Sequence, residues 1–231
     1  MIPKIIHYCW FGNKKKPQEV QNYIDNWARI MPDYQIMEWN QENFDVNDFI
    51  FTKQAYSEKK YAFVSDYVRL YALLRYGGIY LDTDVEIIKT FDSFLDHKVF
   101  FGLEGANHIG TAVIGSEKDN PFIKSFINQY VDKEFILSPG KYNDTPNTHI
   151  LTGLLKNIGL LFNNKLQLLG EAIYVYPVDY FSARLFETGE YIRSRNTVCI
   201  HHFSSSWLPW HTRKRIQMSY ILKAIKRRFS R

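Results

Sequence analysis

Gly77-Gly78-Ile79-Tyr80-Leu81-Asp82-Thr83-Asp84-Val85-Glu86 is the stretch on which the reading of this chain turns. A glycine pair closes the element before it, and residues 79–81 open a strand. Residues i and i+2 of a strand point to one face. A strand running through 79–88 therefore aims Asp82 and Asp84 at one spot. Two carboxylates there repel each other unless something positive lies between them, and a divalent cation with oxygen ligands is the usual answer. The plainer alternative is a strand-end turn with solvated carboxylates.

Just upstream, residues 58–76 form the strongest helix of the chain. Val64, Tyr67, Val68, Tyr71, Leu74 and Arg75 recur at helical spacing, and Gly77 stands where a left-handed cap is expected. Asp66 and Arg69 are three residues apart on that helix, close enough to pair. They lie among Phe63, Val64, Tyr67, Val68 and Leu70. Charges in such surroundings need partners, and either each other or a ligand rich in hydroxyls or phosphate would serve.

Residues 3–11 read as a buried strand. Pro17 opens a helix with Val20, Ile24, Trp27 and Met31 on one face, and residues 34–39 are a second strand. This strand-helix-strand unit with a short return predicts a parallel, right-handed crossover in an α/β fold. Residues 40–57 suggest short helices. Beyond the central stretch come strands at 99–103 and 111–115, a helix at 121–131, a loop near 138–146 and a helix at 147–160. Short strands near 173–176 and 197–203 end the globular part. No repeat or linker precedes residue 211.

The 231 residues suffice for one large domain with a real core. At 45% hydrophobic and 16% aromatic the chain is globular rather than disordered, and aromatic excess suits flat ligands as well as an ordinary core. No stretch offers the roughly 20 apolar residues that a membrane span needs. The N-terminus already reads as strand, so no signal peptide is expected. Cys9 and Cys199 form neither a metal spacing nor a disulfide framework, and read as buried thiols of a cytoplasmic protein.

The net charge of +5 is unevenly spread. Residues 211–231 hold eight Lys or Arg and no Asp or Glu, leaving 21 basic against 24 acidic residues in 1–210. Met218, Ile221, Leu222, Ile225 and Phe229 share one helical face there, with Lys223, Lys226 and Arg227 around the other. The expected organisation is a catalytic domain over 1–210 and a basic amphipathic helix over 211–231. That helix either packs on the domain or lies, through 213–231, on an anionic membrane surface.

Ser65-Asp66-Tyr67-Val68-Arg69, followed by the Gly77-Gly78 pair and Asp82-Thr83-Asp84, resembles glycosyltransferase family 32. This is the group with the sugar-binding DXD region that includes yeast mannosyltransferases and is related to clostridial glucosylating toxins. Ile2-Pro3-Lys4-Ile5-Ile6-His7 with Trp10 is similar to the family's first strand, and residues 34–40 to its second. His201-His202-Phe203-Ser204-Ser205-Ser206-Trp207 is similar to its C-terminal motif. The likeness runs in order along nearly the whole chain and is weakest over 105–195.

The resemblance implies a GT-A type fold, with a mixed, mostly parallel sheet flanked by helices. It implies a UDP-sugar donor, Mn2+ or Mg2+ as cofactor, and retention of anomeric configuration. Trp10 would stack on the base, Ser65 would contact the nucleoside, and Tyr80 would pack near the ribose. Asp66 and Arg69 would hold sugar hydroxyls. Asp82, Asp84 and His202 would ligate the metal, His202 being preferred to His201 because it precedes the aromatic. Ser205 and Trp207 would close over the diphosphate, and Asn147 would contact the sugar. The acceptor would be a saccharide, in one version lipid-linked and met at the inner face of the plasma membrane during bacterial surface polysaccharide synthesis.

Gly110 stands where relatives often carry asparagine, and Thr145-Pro146-Asn147 where they tend to have Gly-Pro. Both departures lie where the sugar or acceptor is expected, so they bear on which hexose is moved, with galactose and glucose first. No nucleophile stands out. Front-face attack is therefore expected, the acceptor hydroxyl arriving beside the leaving diphosphate, whose oxygen takes the proton.

Phosphatases of the haloacid dehalogenase type also place Asp-x-Asp after an apolar strand. Theirs is the first strand, with Thr or Val two beyond the second Asp and an acidic pair downstream. Here two strands precede the motif, Glu86 holds that position, and the chain has no Asp-Asp pair. A nucleic-acid binder would rely on the basic tail, but the body is acidic and carries no nucleic-acid motif. A sugar-binding protein without catalysis would have no need of both aspartates.

Overall fold

The computed structural model describes residues 1–105, 107–204, 214, 215 and 218. The chain alternates β1 (Ile5–Cys9), α1 (Gln18–Ile30), β2 (Gln35–Trp39), α2 (Ile50–Ser57), α3 (Tyr61–Tyr76), β3 (Gly78–Leu81) and β4 (Val85–Ile87). It continues through β5 (Val99–Glu104), β6 (His108–Ser116), α4 (Pro121–Ile127), the hairpin β7 (Ile136–Ser138) and β8 (Lys141–Tyr142), and α5 (Asn147–Lys156). The last described elements are β9 (Gln167–Leu169), β10 (Ile173–Tyr176), α6 (Val178–Phe181) and β11 (Cys199–His201).

Seven strands form the central sheet in the order β2-β1-β3-β6-β5-β10-β9. β1 lies parallel to β2 and β3, and β5 parallel to β10, while β6 and β9 run against their neighbours. Most strands thus point one way, as expected. Alternate side chains feed opposite faces. Ile6, Tyr8, Ile79, Leu81 and Phe100 join one apolar cluster with Ile24 and Trp27 of α1. Tyr80 and Phe101 join the other, with Val64, Val68 and Leu73 of α3 and Leu151 of α5. Helices therefore cover both faces of the sheet.

The strand expected over 79–88 is broken. β3 ends at Leu81, and the chain turns through Asp82-Thr83-Asp84, closed by Val85 N–H donating to the Asp82 carbonyl at 3.1 Å. β4 then leaves the large sheet and pairs antiparallel with β11. Two smaller differences concern loops. Residues 138–146 belong partly to the β7–β8 hairpin, and the helix expected over 121–131 tightens into a 3-10 turn at Asn128–Tyr130.

The glycine pair works differently from a left-handed cap. Gly77 has φ +67° but ψ −171°, so the chain runs straight from α3 into β3. Gly78 has φ +109°, and a Cβ there would stand 2.6 Å from the Ile5 carbonyl oxygen. Glycine is needed for both the torsion and the space.

His7 secures this junction from beneath. Trp39 Nε1, which can only donate, points at His7 Nδ1 at 3.1 Å. The proton of neutral His7 is therefore on Nε2, which donates to the Gly77 carbonyl at 2.7 Å. Burial pushes the imidazole down to about 4, against the pull of the Gly77 carbonyl. The unfolded chain takes up this proton near 6.5 and the folded chain only near 4, so stability falls as pH drops through that window. The expected difference between wild type and His7→Asn is a slope of about 1.4 kcal/mol per pH unit between the two values. Urea unfolding of both proteins from pH 7 to 4.5 measures it, and parallel curves would rule the argument out.

Candidate functional site

β1 and β3 are neighbouring parallel strands, with β2 on the far side of β1. The chain leaves β1 toward β2 through α1 and returns to β3 on the opposite flank. The crevice beyond their carboxyl ends is thus a topological switch point, where open α/β sheets bind ligands. Trp10 follows β1 and Asp82 follows β3, so both stand at that crevice.

Asp82 and Asp84 converge through the turn rather than through strand alternation. With His201 they offer ligand atoms within 4.8 Å of one another. Asp82 is held from the sheet side. Its backbone N–H donates to Ala112 O at 2.9 Å, Tyr80 Oη donates to its Oδ1 at 2.8 Å, and Arg69 Nη1 lies 3.3 Å from the same oxygen. Asp84 is held from the C-terminal side. Ser204 donates to its Oδ2 from the backbone N–H at 2.8 Å and from Oγ at 2.9 Å, and His201 Nε2 lies 3.3 Å from its Oδ1.

Positive charge therefore reaches the pair from two flanks. Arg69 also meets Asp66 at 3.0 Å, and His201 Nδ1 meets Glu104 at 2.8 Å. Asp66, Arg69, Asp82, Asp84, His201 and Glu104 make a line of charges with the two aspartates at its centre. Burial disfavours the Asp84 carboxylate, but His201 and the Ser204 donors outweigh it and hold its pKa well below the usual range. Burial lowers His201, and Asp84 and Glu104 more than reverse that. Burial lifts Asp66 to about 7; Arg69 opposes the rise, Asp82 adds to it, and the Asn147 backbone N–H opposes it.

The expected third ligand changes by one residue. His201 pairs with Val85 across β4–β11, and Ile200 with Glu86. Successive residues face opposite ways. His201 accordingly turns to the aspartates, while His202 turns to the other face, where Nε2 meets Glu86 at 2.8 Å and the ring stacks on Tyr23 at 5.3 Å. The structure thus corrects His202 to His201 as the histidine beside Asp82 and Asp84. Two oxygen ligands and one imidazole suit a divalent ion such as Mn2+.

Arg69, only 5% exposed, also donates from Nη1 to the Thr111 carbonyl at 2.7 Å and lies over the Tyr80 ring at 4.5 Å. Tyr80 is 2% exposed, so its ring sits beneath Asp82 rather than open to a ribose. Ser65 lies one turn before Arg69, with Oγ donating to the Tyr61 carbonyl at 3.1 Å. Trp10 is half-buried; its Nε1 donates to the Lys14 carbonyl at 2.8 Å, and it lines a hollow with Lys14, Lys15 and Gln21. Asn147 begins α5. Its Oδ1 accepts from Thr111 Oγ1 at 2.7 Å, while its buried Nδ2 has no partner among the described residues.

Sequence reasoning passed over Ser204, Glu104 and Thr111. Ser204 stood inside the quoted C-terminal motif and could have been found there. Ser205, Trp207 and all of the tail over 211–231 except Lys214, Arg215 and Met218 lie outside the described residues. Among the described residues, no helix is long and apolar enough to cross a membrane.

Residues 17–101 match the family model described as the glycosyltransferase sugar-binding region containing DXD motif. Among curated relatives, the inositol phosphoceramide mannosyltransferase 3 of Schizosaccharomyces pombe is 32% identical over 126 residues, which are 53% of this chain and 35% of that protein. An uncharacterized glycosyltransferase of Acanthamoeba polyphaga mimivirus is 32% identical over 167 residues, 66% of this chain and 62% of that one. The matches thus span less than two thirds of either relative. The solved structure of the PaToxG glycosyltransferase superposes with a TM-score of 0.55 at 20% identity, covering 68% of this chain and 69% of that one. The resemblance to DXD glycosyltransferases holds in sequence, and the fold is of the GT-A type.

Proposed function

From this DXD sugar-binding region and the corner it builds, we propose that the protein is a metal-dependent, retaining glycosyltransferase that moves a hexose from a nucleotide sugar to a saccharide acceptor. The convergence of Asp82, Asp84 and His201 at the switch point carries the reading. These three would hold the ion, Mn2+ or Mg2+. Bound there, it would act as a Lewis acid that neutralises charge on the departing diphosphate. The Asn147 side-chain Nδ2, unpartnered among the described residues, supports a ligand rich in oxygen acceptors, since buried donors seldom go unmatched.

The protein's own residues would orient the reactants. Arg69 and Tyr80 fix Asp82, and Ser204 fixes Asp84, so the corner is organised before any donor arrives. Trp10 offers a flat platform at the other side of the crevice. The acceptor hydroxyl would attack C1 from the face that the diphosphate leaves, its proton passing to a phosphate oxygen. Asp66 is tied to Arg69, which leaves it poorly placed as a nucleophile.

A UDP-hexose is the first donor class. A mannosyl donor is the second, favoured by the name of the Schizosaccharomyces pombe relative. That name also contains a ceramide, which supports a lipid-linked acceptor met at a membrane face, with residues 213–231 as the contact. In this version the protein works in the cytoplasm on surface polysaccharide.

The test is a donor screen read as slow hydrolysis with Mn2+. UDP-glucose, UDP-galactose and GDP-mannose come first. One donor is expected to turn over well above the rest, to stop on addition of EDTA, and to release the sugar with its anomeric configuration kept by NMR. No turnover of any nucleotide sugar, with or without metal, would overturn the reading.

A further inference from the structure

We infer that Glu104 is a positioning residue for the metal corner, holding the His201 ring so that Nε2 faces Asp82 and Asp84. The inference rests on the proposed metal reading and adds a residue to it. Glu104 is the last residue of β5, in the central sheet, whereas His201 ends β11 in the separate small sheet. Their side chains are 16% and 13% exposed and meet at 2.8 Å between Oε1 and Nδ1.

A carboxylate can only accept here, so the proton on Nδ1 belongs to this bond. Once an ion displaces the second proton of the charged ring to solvent, Nε2, 3.3 Å from Asp84 Oδ1, is the nitrogen left to face it. Without Glu104 a neutral ring could carry its proton on either nitrogen, and half of that choice is useless for ligation. An outer carboxylate on a ligating imidazole fixes the tautomer, limits rotation and raises the ring's basicity. Phe203, packed against the ring at 4.0 Å, and Asp84, 3.3 Å from Nε2, also restrain it, but Glu104 alone among these holds Nδ1.

Gly110 provides the space. A Cβ at that position would stand 3.3 Å from Glu104 Oε1 and 3.3 Å from Glu104 Cβ, tighter than an ordinary contact. The glycine found where relatives often carry asparagine is therefore matched to the carboxylate beside it. One departure from the family pattern gains a physical reason.

The experiment titrates Mn2+ alone into the full chain and reads free Mn2+ by electron paramagnetic resonance. Glu104→Ala is expected to weaken binding by about 10–100-fold, with His201→Ala setting the floor. Glu104→Gln should recover much of the loss, because its amide oxygen still accepts from Nδ1–H. In the Mg2+-loaded protein, 15N shifts of the His201 ring should report a proton on Nδ1 in wild type and a mixture in Glu104→Ala. A structural role alone would not move that signature. If Glu104→Ala fails to fold, the Gln variant and the ring shifts carry the test. Wild-type affinity and an unchanged tautomer in the Glu104 variants, with binding lost in His201→Ala, would overturn this inference and leave the metal reading standing. A wild type that takes up no Mn2+, with or without UDP, would overturn both.

Discussion

On the proposed function, Asp84→Asn is expected to lower donor turnover by about 100- to 1,000-fold while the protein still folds. Asparagine keeps the size of the side chain and one oxygen, so Ser204 can go on donating to it as it does now from the backbone N–H and Oγ. The variant loses charge and one strong ligand atom. A metal acting as a Lewis acid supplies several kcal/mol of transition-state stabilisation, and each 1.36 kcal/mol is a factor of ten in rate. Losing two to three such factors gives the expected size at saturating metal. Hydrolysis of the best donor at saturating Mn2+ measures it, with near-ultraviolet circular dichroism as the check on packing. Activity within tenfold of wild type would remove Asp84 from the chemistry.

Arg69→Met lowers stability by about 3–5 kcal/mol, the usual consequence of removing one member of a buried ion pair. Methionine fills much of the same volume, so a cavity is not the main effect. The guanidinium now serves Asp66 at 3.0 Å, Asp82 at 3.3 Å and the Thr111 carbonyl at 2.7 Å. Burial alone would lower its pKa, but Asp82, Tyr80 and Asp66 raise it, so it stays charged. Removing it leaves two acids and a carbonyl short of a partner. Because burial already lifts Asp66 to about 7, that carboxyl can take up a proton in the variant, which places the expected loss toward the lower end. Adding Asp66→Asn to Arg69→Met should return part of the stability. Urea denaturation of the three proteins decides it. A loss under 1 kcal/mol in the single variant would show that the pair is dispensable.

Much of the fold was legible because local rules and the tertiary outcome agree. The β1-α1-β2 unit forms as its apolar spacing and Pro17 predict, and β1 pairs parallel to β2. The broken strand was not legible. Nothing within residues 79–88 says that β4 finds its partner in β11 instead of the central sheet. The aspartates were therefore expected to converge for the wrong reason, alternation in one strand, when a turn brings them together. The choice between His201 and His202 has the same origin. Adjacent strand residues face opposite ways, so the answer depends on the pairing of His201 with Val85, a register set over long range. The idea that the carboxylates need an ion between them also missed Arg69 and His201, which supply positive charge from two different elements.

The clasp on Asp84 has a consequence for how the protein is made. Asp84 and Ser204 are separated by 120 positions in the chain. At a synthesis rate of roughly 5–20 residues per second, that distance takes about 6–24 s to emerge from the ribosome. Throughout this interval β4 lacks its β11 partner, and Asp84 lacks both the serine and the histidine that fix it. A nascent chain would then hold the first half of the proposed donor site without the residues that fix Asp84. Under the proposed function, activity would begin only once Ser204 has emerged and folded back onto Asp84.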